Sequence, residues 1–444
     1  MIHRILLSLT LVACGSHRTF ADGDDGGLIT NEDGSTFMGA QVDCAAQNKP
    51  PTTIRGTVFD PAGKRPIYDV VVYVPRAPLD PFPSGVTCDK CGVLTSGSPV
   101  VTTLTDAAGK FVLENAPAGT NIPLVFQIGK WRRQVTVPNV TACTDNALSD
   151  PNVTRLPRNK SEGDLPKIAI TMGAADPFEC LLRKIGIDDA EFTNDQDGGH
   201  VHVFEGEDIN THVHTPALPG AAPATDLWSN LAKMKQYDVI INACEGKEAA
   251  DEKPPSSLQN FIDYANAGGR TFNTHYHYYW LEHGVAPVPA TADWLHDNSV
   301  PSSTTATIDT SFPKGNAFAQ WLVNVGASPS MGQLPLTQPK FDATIAHAPG
   351  LRWIYGTRSS SQETLFHYTF NTPIGSAEDQ QCGKVLFSDF HVEEPKLGLT
   401  QLYFPAECVN DAMTPQDLAL EFMLFDLSSC IQKDTDPPKP PPPH

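Results

Sequence analysis

Closely spaced histidines are the residues in this sequence best suited to bind a metal. His200 and His202 are separated by one residue, and so are His212 and His214. In an extended segment, alternate residues face the same side, so each pair could chelate an ion. Together with His277 they offer more imidazoles than a Zn²⁺ site requires. The alternative is that the paired histidines are solvated in a surface insertion and hold no metal.

A second group of titratable side chains follows two apolar runs that we predict to be strands. His275 ends the run that begins at Arg270, and Asp389 and His391 follow the run 384–388. Imidazole titrates near neutral pH and can act as a base, a donor or a ligand. We therefore take His275, His391 and Asp389 as candidate catalytic residues. The alternative is that both histidines are buried and bound to backbone groups.

Further residues are candidates for ligand binding. Asp176 stands at a predicted helix start, where backbone N–H groups could bind an anion. Glu245 follows a predicted buried strand, and Tyr276 and Trp280 offer flat amphipathic faces that suit a sugar or an aromatic ligand. Ligands of open α/β sheets bind beyond the carboxyl ends of the strands, so we expect these side chains around one crevice.

The elements that would position these residues lie between 166 and 432. Apolar runs of strand length alternate there with segments of helical periodicity, which indicates a parallel sheet covered by helices on both faces. The predicted strands are 167–172, 237–243, 270–275 and 384–388, and the predicted helices begin at Asp176, Ser257 and Thr414.

This α/β region resembles the class I glutamine-amidotransferase-like domains, and most of all their ThuA-like branch. The resemblance rests on the run 237–246, the helix that ends at Gly268-Gly269 and the strand that ends near His275. It implies a flavodoxin-like parallel sheet. An amidotransferase needs a nucleophilic cysteine at the sharp turn after that strand. Because His275 stands there, and Cys244 ends the preceding strand where no nucleophile is expected, we do not expect glutamine hydrolysis.

The region 51–141 reads as short strands separated by turns, which predicts an all-β, immunoglobulin-like sandwich. It resembles the carboxypeptidase regulatory-like domain, an accessory module that in some proteins binds carbohydrate or other proteins. The motifs that carry the resemblance are Ile54-x-Gly56-x-Val58-x-Asp60-x-x-Gly63 and Thr105-Asp106-x-x-Gly109-x-Phe111. An insertion at 78–98 departs from the pattern, and a linker at 142–165 would join this domain to the α/β region.

The cysteines predict disulfides. Ten are present, and nine remain after the one assigned to lipidation below, so at least one is unpaired within the chain. For Cys88 and Cys91 we favour a local disulfide, with a structural metal as the second interpretation. Cys408 and Cys430 bracket the last predicted helix and could staple it, with Cys382 as a further partner. Connectivity does not follow from spacing alone.

The amino terminus predicts a secreted lipoprotein. His3 and Arg4 precede a short apolar run, and Leu11-Val12-Ala13-Cys14 resembles the bacterial lipobox. The resemblance implies a signal peptide at 1–13, cleavage before Cys14, and fatty acyl chains on that residue that hold the protein at a membrane, by analogy the outer membrane. Residues 14–50 would be a flexible tether, and 433–444 an extended, exposed proline-rich tail. The alternative is an ordinary signal peptide.

The charge balance restricts the partners. A net charge of −20 argues against nucleic acid and against unaided attraction to anionic lipid. We expect a cell-envelope lipoprotein with a non-enzymatic binding or structural role, whose partner is a carbohydrate or an envelope protein. The alternatives are a metal- or His/Asp-dependent hydrolase, with Zn²⁺ as the cofactor, and a carbohydrate-processing enzyme. Convergence of the histidines and Asp389 in one site would favour the enzyme.

Overall fold

The structure is a computed structural model of the chain. It describes residues 39–93, 95–173, 175–206, 218–296, 301–358, 362–392 and 404–443, together with the backbone of two short strands before them. Cys14, His212 and His214 lie outside the described residues, so the predictions made for them remain predictions.

The amino-terminal half is built from strands, as predicted. They form a three-stranded sheet in the order β10-β4-β7 and a five-stranded sheet in the order β3-β8-β5-β6, in which β9 also pairs with β8. Side chains of both sheets meet in one apolar core, where the rings of Phe111 and Phe126 lie 6.0 Å apart. The strands are β1 (Ile29–Thr30), β2 (Thr36–Phe37), β3 (Gly39–Ala40), β4 (Thr53–Thr57), β5 (Val71–Pro75), β6 (Pro99–Leu104), β7 (Lys110–Glu114), β8 (Ala118–Ile128), β9 (Trp131–Val140) and β10 (Asp145–Ala147).

The carboxy-terminal half alternates strands and helices around one ten-stranded sheet. Its elements are α1 (Pro151–Thr154), β11 (Ile168–Met172), α2 (Phe178–Lys184), β12 (Phe192–Thr193), β13 (Val201–Glu205), α3 (Ala224–Trp228), α4 (Leu231–Met234), β14 (Val239–Asn242), α5 (Pro255–Asn266), β15 (Arg270–Thr274), α6 (Tyr279–Glu282), β16 (Ala292–Trp294), β17 (Ser303–Ile308), α7 (Pro313–Asn324), β18 (Gln333–Thr337), β19 (Ala343–Ala346), β20 (Leu351–Thr357), β21 (Glu363–Thr372), β22 (Gly383–Ser388) and α8 (Pro415–Ser428).

The large sheet is parallel over part of its width. Its order is β12-β13-β11-β14-β15-β22-β21-β20-β17-β18, and the pairs from β12 to β22 are all parallel. The remaining pairs are antiparallel, a feature the sequence analysis does not predict. Strand β17, for example, carries threonines and buries only alternate residues, so it shows no continuous apolar run.

The two faces of the sheet pack against different helices. Ile168 and Ile170 of β11 join one apolar core with α2, α7 and α8, whereas Ala169 joins a second core with α3, α5 and α6. This alternation follows from the strand, in which successive side chains point to opposite faces. The predicted last helix is present as α8, and Thr414 and Asp417 form a capping box at its start.

The two halves share one core and do not stand apart on a flexible linker. The rings of Trp131 in β9 and Phe425 in α8 are 5.6 Å apart, and those of Tyr68 and Phe422 are 5.9 Å apart. A hydrogen bond of 2.5 Å from Nε of Arg65 to Glu421 crosses the same boundary. One continuous apolar cluster therefore extends from the sandwich to the first face of the large sheet.

Disulfides also connect the halves. The predicted local disulfide between Cys88 and Cys91 is wrong, because the two side chains reach different parts of the α/β half. Cys430 likewise does not pair with Cys408. The disulfides are Cys44–Cys143, Cys88–Cys382, Cys91–Cys430 and Cys180–Cys408. They indicate an oxidising, extracytoplasmic environment. Within the described ranges, none of the helices combines the length and apolar character needed to cross a bilayer.

The proline-rich tail is partly packed, which differs from the exposed tail that its composition predicts. Asp434 is buried against Lys314 and Lys384, and Pro441 is buried with its carbonyl bound by the Thr102 hydroxyl. Composition alone predicts exposure, whereas the ion pairs of Asp434 with two buried lysines hold the tail against the core.

Candidate functional site

A sharp turn ends strand β15 and presents His275. This residue has a φ of 40°, in the left-handed region that side chains other than glycine rarely adopt. It is the first residue of a 3₁₀ helix, His275–Tyr278, which leads into α6. The turn raises the imidazole above the carboxyl end of the parallel strands, where ligands bind in open α/β sheets. Such strained backbone is common at functional sites.

Cys244 and His391 converge on this imidazole. The Sγ atom of Cys244 lies 3.2 Å from Nδ1 of His275, and one ligand atom from each of the three residues lies within 4.8 Å of the others. The residues follow the neighbouring strands β14, β15 and β22, whose parallel pairing brings their ends together. Their exposed fractions are 0%, 8% and 6% in the order Cys244, His275 and His391, so the cluster is buried.

Cys244 is the member of the cluster that the sequence analysis does not select as a candidate. The amidotransferase pattern puts the nucleophile at the turn after β15, so it assigns no role to a cysteine that follows β14. In the structure, Asn242 pairs with Asn273, which brings Cys244 level with His275. A titratable residue within two positions of the end of each of two adjacent parallel strands is the signal that could have revealed the contact.

All three side chains of the cluster are neutral near pH 7. Burial raises the pKa of Cys244 to about 12 and lowers the pKa of His391 to about 3. Burial, helped by the charges of His391 and Lys340, also lowers the pKa of His275 well below its ordinary value. Among the described residues, Nε2 of His391 has no hydrogen-bond partner. Neutral imidazoles with available lone pairs are the form of histidine that binds metals.

Asp176 holds the segments that carry the cluster through hydrogen bonds. Its carboxylate accepts hydrogen bonds from the Thr274 hydroxyl at 2.6 Å and from the Val392 amide at 3.0 Å, and the same hydroxyl accepts from the Cys244 amide at 2.9 Å. Burial raises the pKa of Asp176 to about 7. The sequence predicts a helix start at Asp176 whose backbone N–H groups could bind an anion, but Asp176 is fully buried and α2 begins after Pro177. Asp176 therefore positions the loops that carry the cluster.

One further carboxyl group lies beside His275, and a second carboxyl group contacts the backbone of the first. Nε2 of His275 is 3.5 Å from Oδ2 of Asp342, whose Oδ1 is 2.8 Å from Nδ1 of His296. Asp389, a predicted catalytic residue, accepts hydrogen bonds from the amides of Asp342 at 2.7 Å and Ala343 at 3.4 Å. Burial and the charge of Asp342 raise the pKa of Asp389 well above its ordinary value. Its described contacts make it a positioning residue for Asp342.

The other candidate metal ligands in the described residues do not join the cluster. Nδ1 of His277 accepts from the Trp280 indole at 3.0 Å, so its Nε2 donates to the Ala243 carbonyl at 2.9 Å. His202 contacts the Tyr237 hydroxyl and the Gly199 carbonyl through its two nitrogens, and Nδ1 of His200 lies 3.0 Å from Glu191. These rings have protein partners, and the nitrogens of His200 and His202 contact different groups.

The predicted binding residues do not line one crevice together. Glu245 is fully buried and accepts a hydrogen bond of 2.7 Å from Lys253. Trp280 is fully buried against Phe261, because α6 turns it into the second core. Tyr276 alone of this group combines partial exposure with contact to the cluster, since its ring lies 4.0 Å from that of His275.

Comparisons with known proteins identify no family. No protein-family model and no curated protein sequence matches the chain. Among solved structures, the chain is similar to a putative ThuA-like protein from Bacteroides uniformis, with 11% identity, 58% of this chain and 88% of that chain covered, and a TM-score of 0.31. It is also similar to the cytoplasmic protein STM3548 from Salmonella typhimurium, with 12% identity, 51% and 88% covered, and a TM-score of 0.27. Scores of this size carry no argument about function.

Proposed function

We propose that Cys244, His275 and His391 bind a divalent metal ion, and that this ion is Zn²⁺. The observation that carries the proposal is the convergence of one thiol and two neutral imidazoles within 4.8 Å, one of them with an unpartnered buried nitrogen. An isolated buried imidazole nitrogen is costly unless something binds it. A metal ion would satisfy this nitrogen and draw the three side chains into one site.

The ligand types favour zinc over the harder cations. Thiolate and imidazole suit Zn²⁺, whereas Mg²⁺ and Ca²⁺ prefer oxygen ligands. A bound metal displaces the proton of a coordinating thiol outright, so the raised pKa of Cys244 is no obstacle. Asp342 beside the far nitrogen of His275 matches the carboxylate–histidine–metal arrangement that orients ligating imidazoles.

The same atoms suggest a rival use, a thiol nucleophile with His275 as its base and Asp342 as the orienting group. Burial of Cys244 disfavours this use, because a thiol with a pKa of about 12 carries almost no thiolate at neutral pH. The nucleophile would also leave His391 without a role. The metal accounts for all three side chains, and the nucleophile accounts for two.

In its biological setting, we propose that the protein is a cell-envelope lipoprotein, anchored through Cys14, with a metal-dependent and non-enzymatic binding role toward carbohydrate or an envelope protein. Burial of the cluster favours binding over turnover. Metal-dependent hydrolysis is the second candidate, because three protein ligands leave a fourth position open, as in catalytic zinc sites. Tyr276, half-buried against His275, is a residue that a substrate entering there would contact.

For the fold, we propose a flavodoxin-like, amidotransferase-like α/β domain behind a carboxypeptidase regulatory-like sandwich. The strands β13-β11-β14-β15-β22 have the order 2-1-3-4-5 of that doubly wound class. Because His275 occupies the turn where amidotransferases carry their cysteine, we propose no glutamine hydrolysis for this chain.

Metal content tests the proposal. Purified protein, dialysed and then loaded with Zn²⁺ or Co²⁺, should retain about one ion per chain. The cobalt form should show the thiolate-to-metal absorption expected of a coordinating cysteine. His391→Asn should weaken binding about 10-fold or more, and Cys244→Ser should abolish the thiolate band. The matched control is His200→Asn, which removes a histidine outside the cluster. A wild-type protein that retains no ion, or equal retention by His391→Asn and His200→Asn, would overturn the proposal.

A further inference from the structure

A second candidate site lies at the opposite end of the large sheet. A cleft of about 570 Å³ opens between the sandwich and the amino ends of the parallel strands. Lys167 precedes β11, His200 precedes β13, and Lys235 lies shortly before β14, whereas the metal cluster follows the carboxyl ends. Its volume falls in the range of about 300–1,000 Å³ typical of small-molecule sites. The cleft is therefore separate from the proposed metal site.

The lining of the cleft is basic in a strongly acidic protein. Four of its fifteen lining residues are lysines, although the chain as a whole has a net charge of −20. Both acidic residues of the lining are already neutralised. Asp164 pairs with Arg132 at 2.8 Å, and Asp238 pairs with Lys130 at 2.5 Å.

The remaining lysines carry uncompensated charge. Within the part of the chain that the structure describes, no carboxylate pairs with the ammonium groups of Lys160, Lys167 and Lys235, although the backbone amides of Lys160 and Lys167 donate to Glu191 and Asp238. Lys160 donates to the Gly198 carbonyl, and the ammonium group of Lys167 lies 5.2 Å from the centre of the Tyr237 ring. Like charges gathered around one cleft repel one another, so an anion bound between them would be stabilised.

The walls of the cleft are held in place before any ligand binds. Lys130, only 5% exposed, donates to the carbonyls of Pro83 and Gly85 and to Asp238, which ties the insertion loop to the α/β half. The disulfide between Cys88 and Cys382 anchors the same loop a few residues further on. A preorganised cleft loses little conformational entropy on binding. This loop is the insertion that departs from the carboxypeptidase regulatory-like pattern, and residues 81–85 of it form one wall of the cleft.

We propose that this cleft binds a small anionic molecule that carries two or more carboxylate or phosphate groups, such as an acidic or phosphorylated sugar. The three lysines come from separate segments, so a ligand needs more than one negative group to neutralise their charges together. Phe82 and its neighbouring prolines supply an apolar wall beside them, which a sugar ring could cover. The proposal concerns a site distinct from the proposed metal site and does not depend on it.

Calorimetric titration of the full chain tests this proposal with three probes. Digalacturonate supplies carboxylates, fructose 1,6-bisphosphate supplies phosphates, and maltose is an uncharged sugar of similar size. At least one charged probe should bind, with an affinity that falls as salt rises, and maltose should bind at least 10-fold more weakly. The charged probe that binds identifies the class of anion.

Paired variants separate the cleft from general charge effects. Lys167→Gln with Lys235→Gln should weaken binding of the charged probe at least 10-fold. Lys49→Gln with Lys110→Gln removes the same charge from exposed sites on the sandwich and should leave binding unchanged. His391→Asn should also leave it unchanged, which distinguishes failure of this site from failure of the metal site. No binding of either charged probe, or equal loss in both lysine pairs with unchanged melting temperatures, would overturn the proposal.

Discussion

Replacement of Asp434 by Asn should destabilise the whole carboxy-terminal half. Its carboxylate lies 3.2 Å from Lys314 and 2.7 Å from Lys384, and it accepts a hydrogen bond of 3.2 Å from Thr369. Asp426 contacts the same two lysines, so the four side chains form a closed network. Their side chains are 0% to 6% exposed, so solvent cannot screen the charges.

The magnitude follows from these distances. Each of the two attractions is worth about 5–6 kcal/mol at an effective dielectric constant of about 20. Repulsion between the two carboxylates and the desolvation of Asp434 offset much of this, and removal of one partner from a buried pair typically costs about 3–5 kcal/mol. At about 2 °C per kcal/mol for a large domain, the melting temperature should fall by roughly 6–10 °C.

The assay is thermal unfolding by calorimetry under non-reducing conditions, with urea unfolding as a second measurement. Asp436→Asn is the matched control, because it changes the same residue type, two positions further along the tail, at an exposed site. The control should stay within about 0.5 kcal/mol of wild type. Equal stability of the two variants would refute the claim that the network holds the tail in the core.

Three further predictions concern pH, oxidation and anchoring. Burial raises the pKa of Glu421 to about 8 from an ordinary value of 4.5, so the folded state holds a proton that the unfolded state releases. Stability should therefore fall as pH rises from about 5 to 8. Glu421→Gln should flatten that fall in urea unfolding, and parallel pH curves for the two proteins would contradict it. Denatured, unreduced protein that lacks the first 14 residues should show one free thiol, that of Cys244, and several would contradict the disulfide assignment. Cys14→Ser should move the protein from the membrane to the soluble fraction, and continued attachment would contradict the lipid anchor.

Much of the α/β half could be predicted because its parallel strands are buried on both faces. Val239, Ile240 and Ile241 are apolar in succession, and the helix Pro255–Asn266 ends shortly before two glycines, so both periodicities are visible. The antiparallel strands β17 and β18 lack such runs because their side chains alternate between core and solvent, and β20 buries only Trp353 and Ile354. The disulfides could not be predicted, since Cys88 and Cys91 are close in sequence but pair with residues 294 and 339 positions away.

Two of the three cluster residues could be predicted from the sequence, and the sheet topology explains why. His275 and His391 could be selected because each follows an apolar run, and the carboxyl ends of parallel strands meet at one edge of a sheet. Cys244 follows such a run equally well, but the family pattern assigned the nucleophile to the turn of His275. The ligands of a metal site can follow any of the neighbouring strands, because they need only converge on one ion. Every polar residue that follows one of these neighbouring strands is therefore a candidate ligand. The unpartnered nitrogen of His391 then indicates which of the converging groups could bind a metal ion.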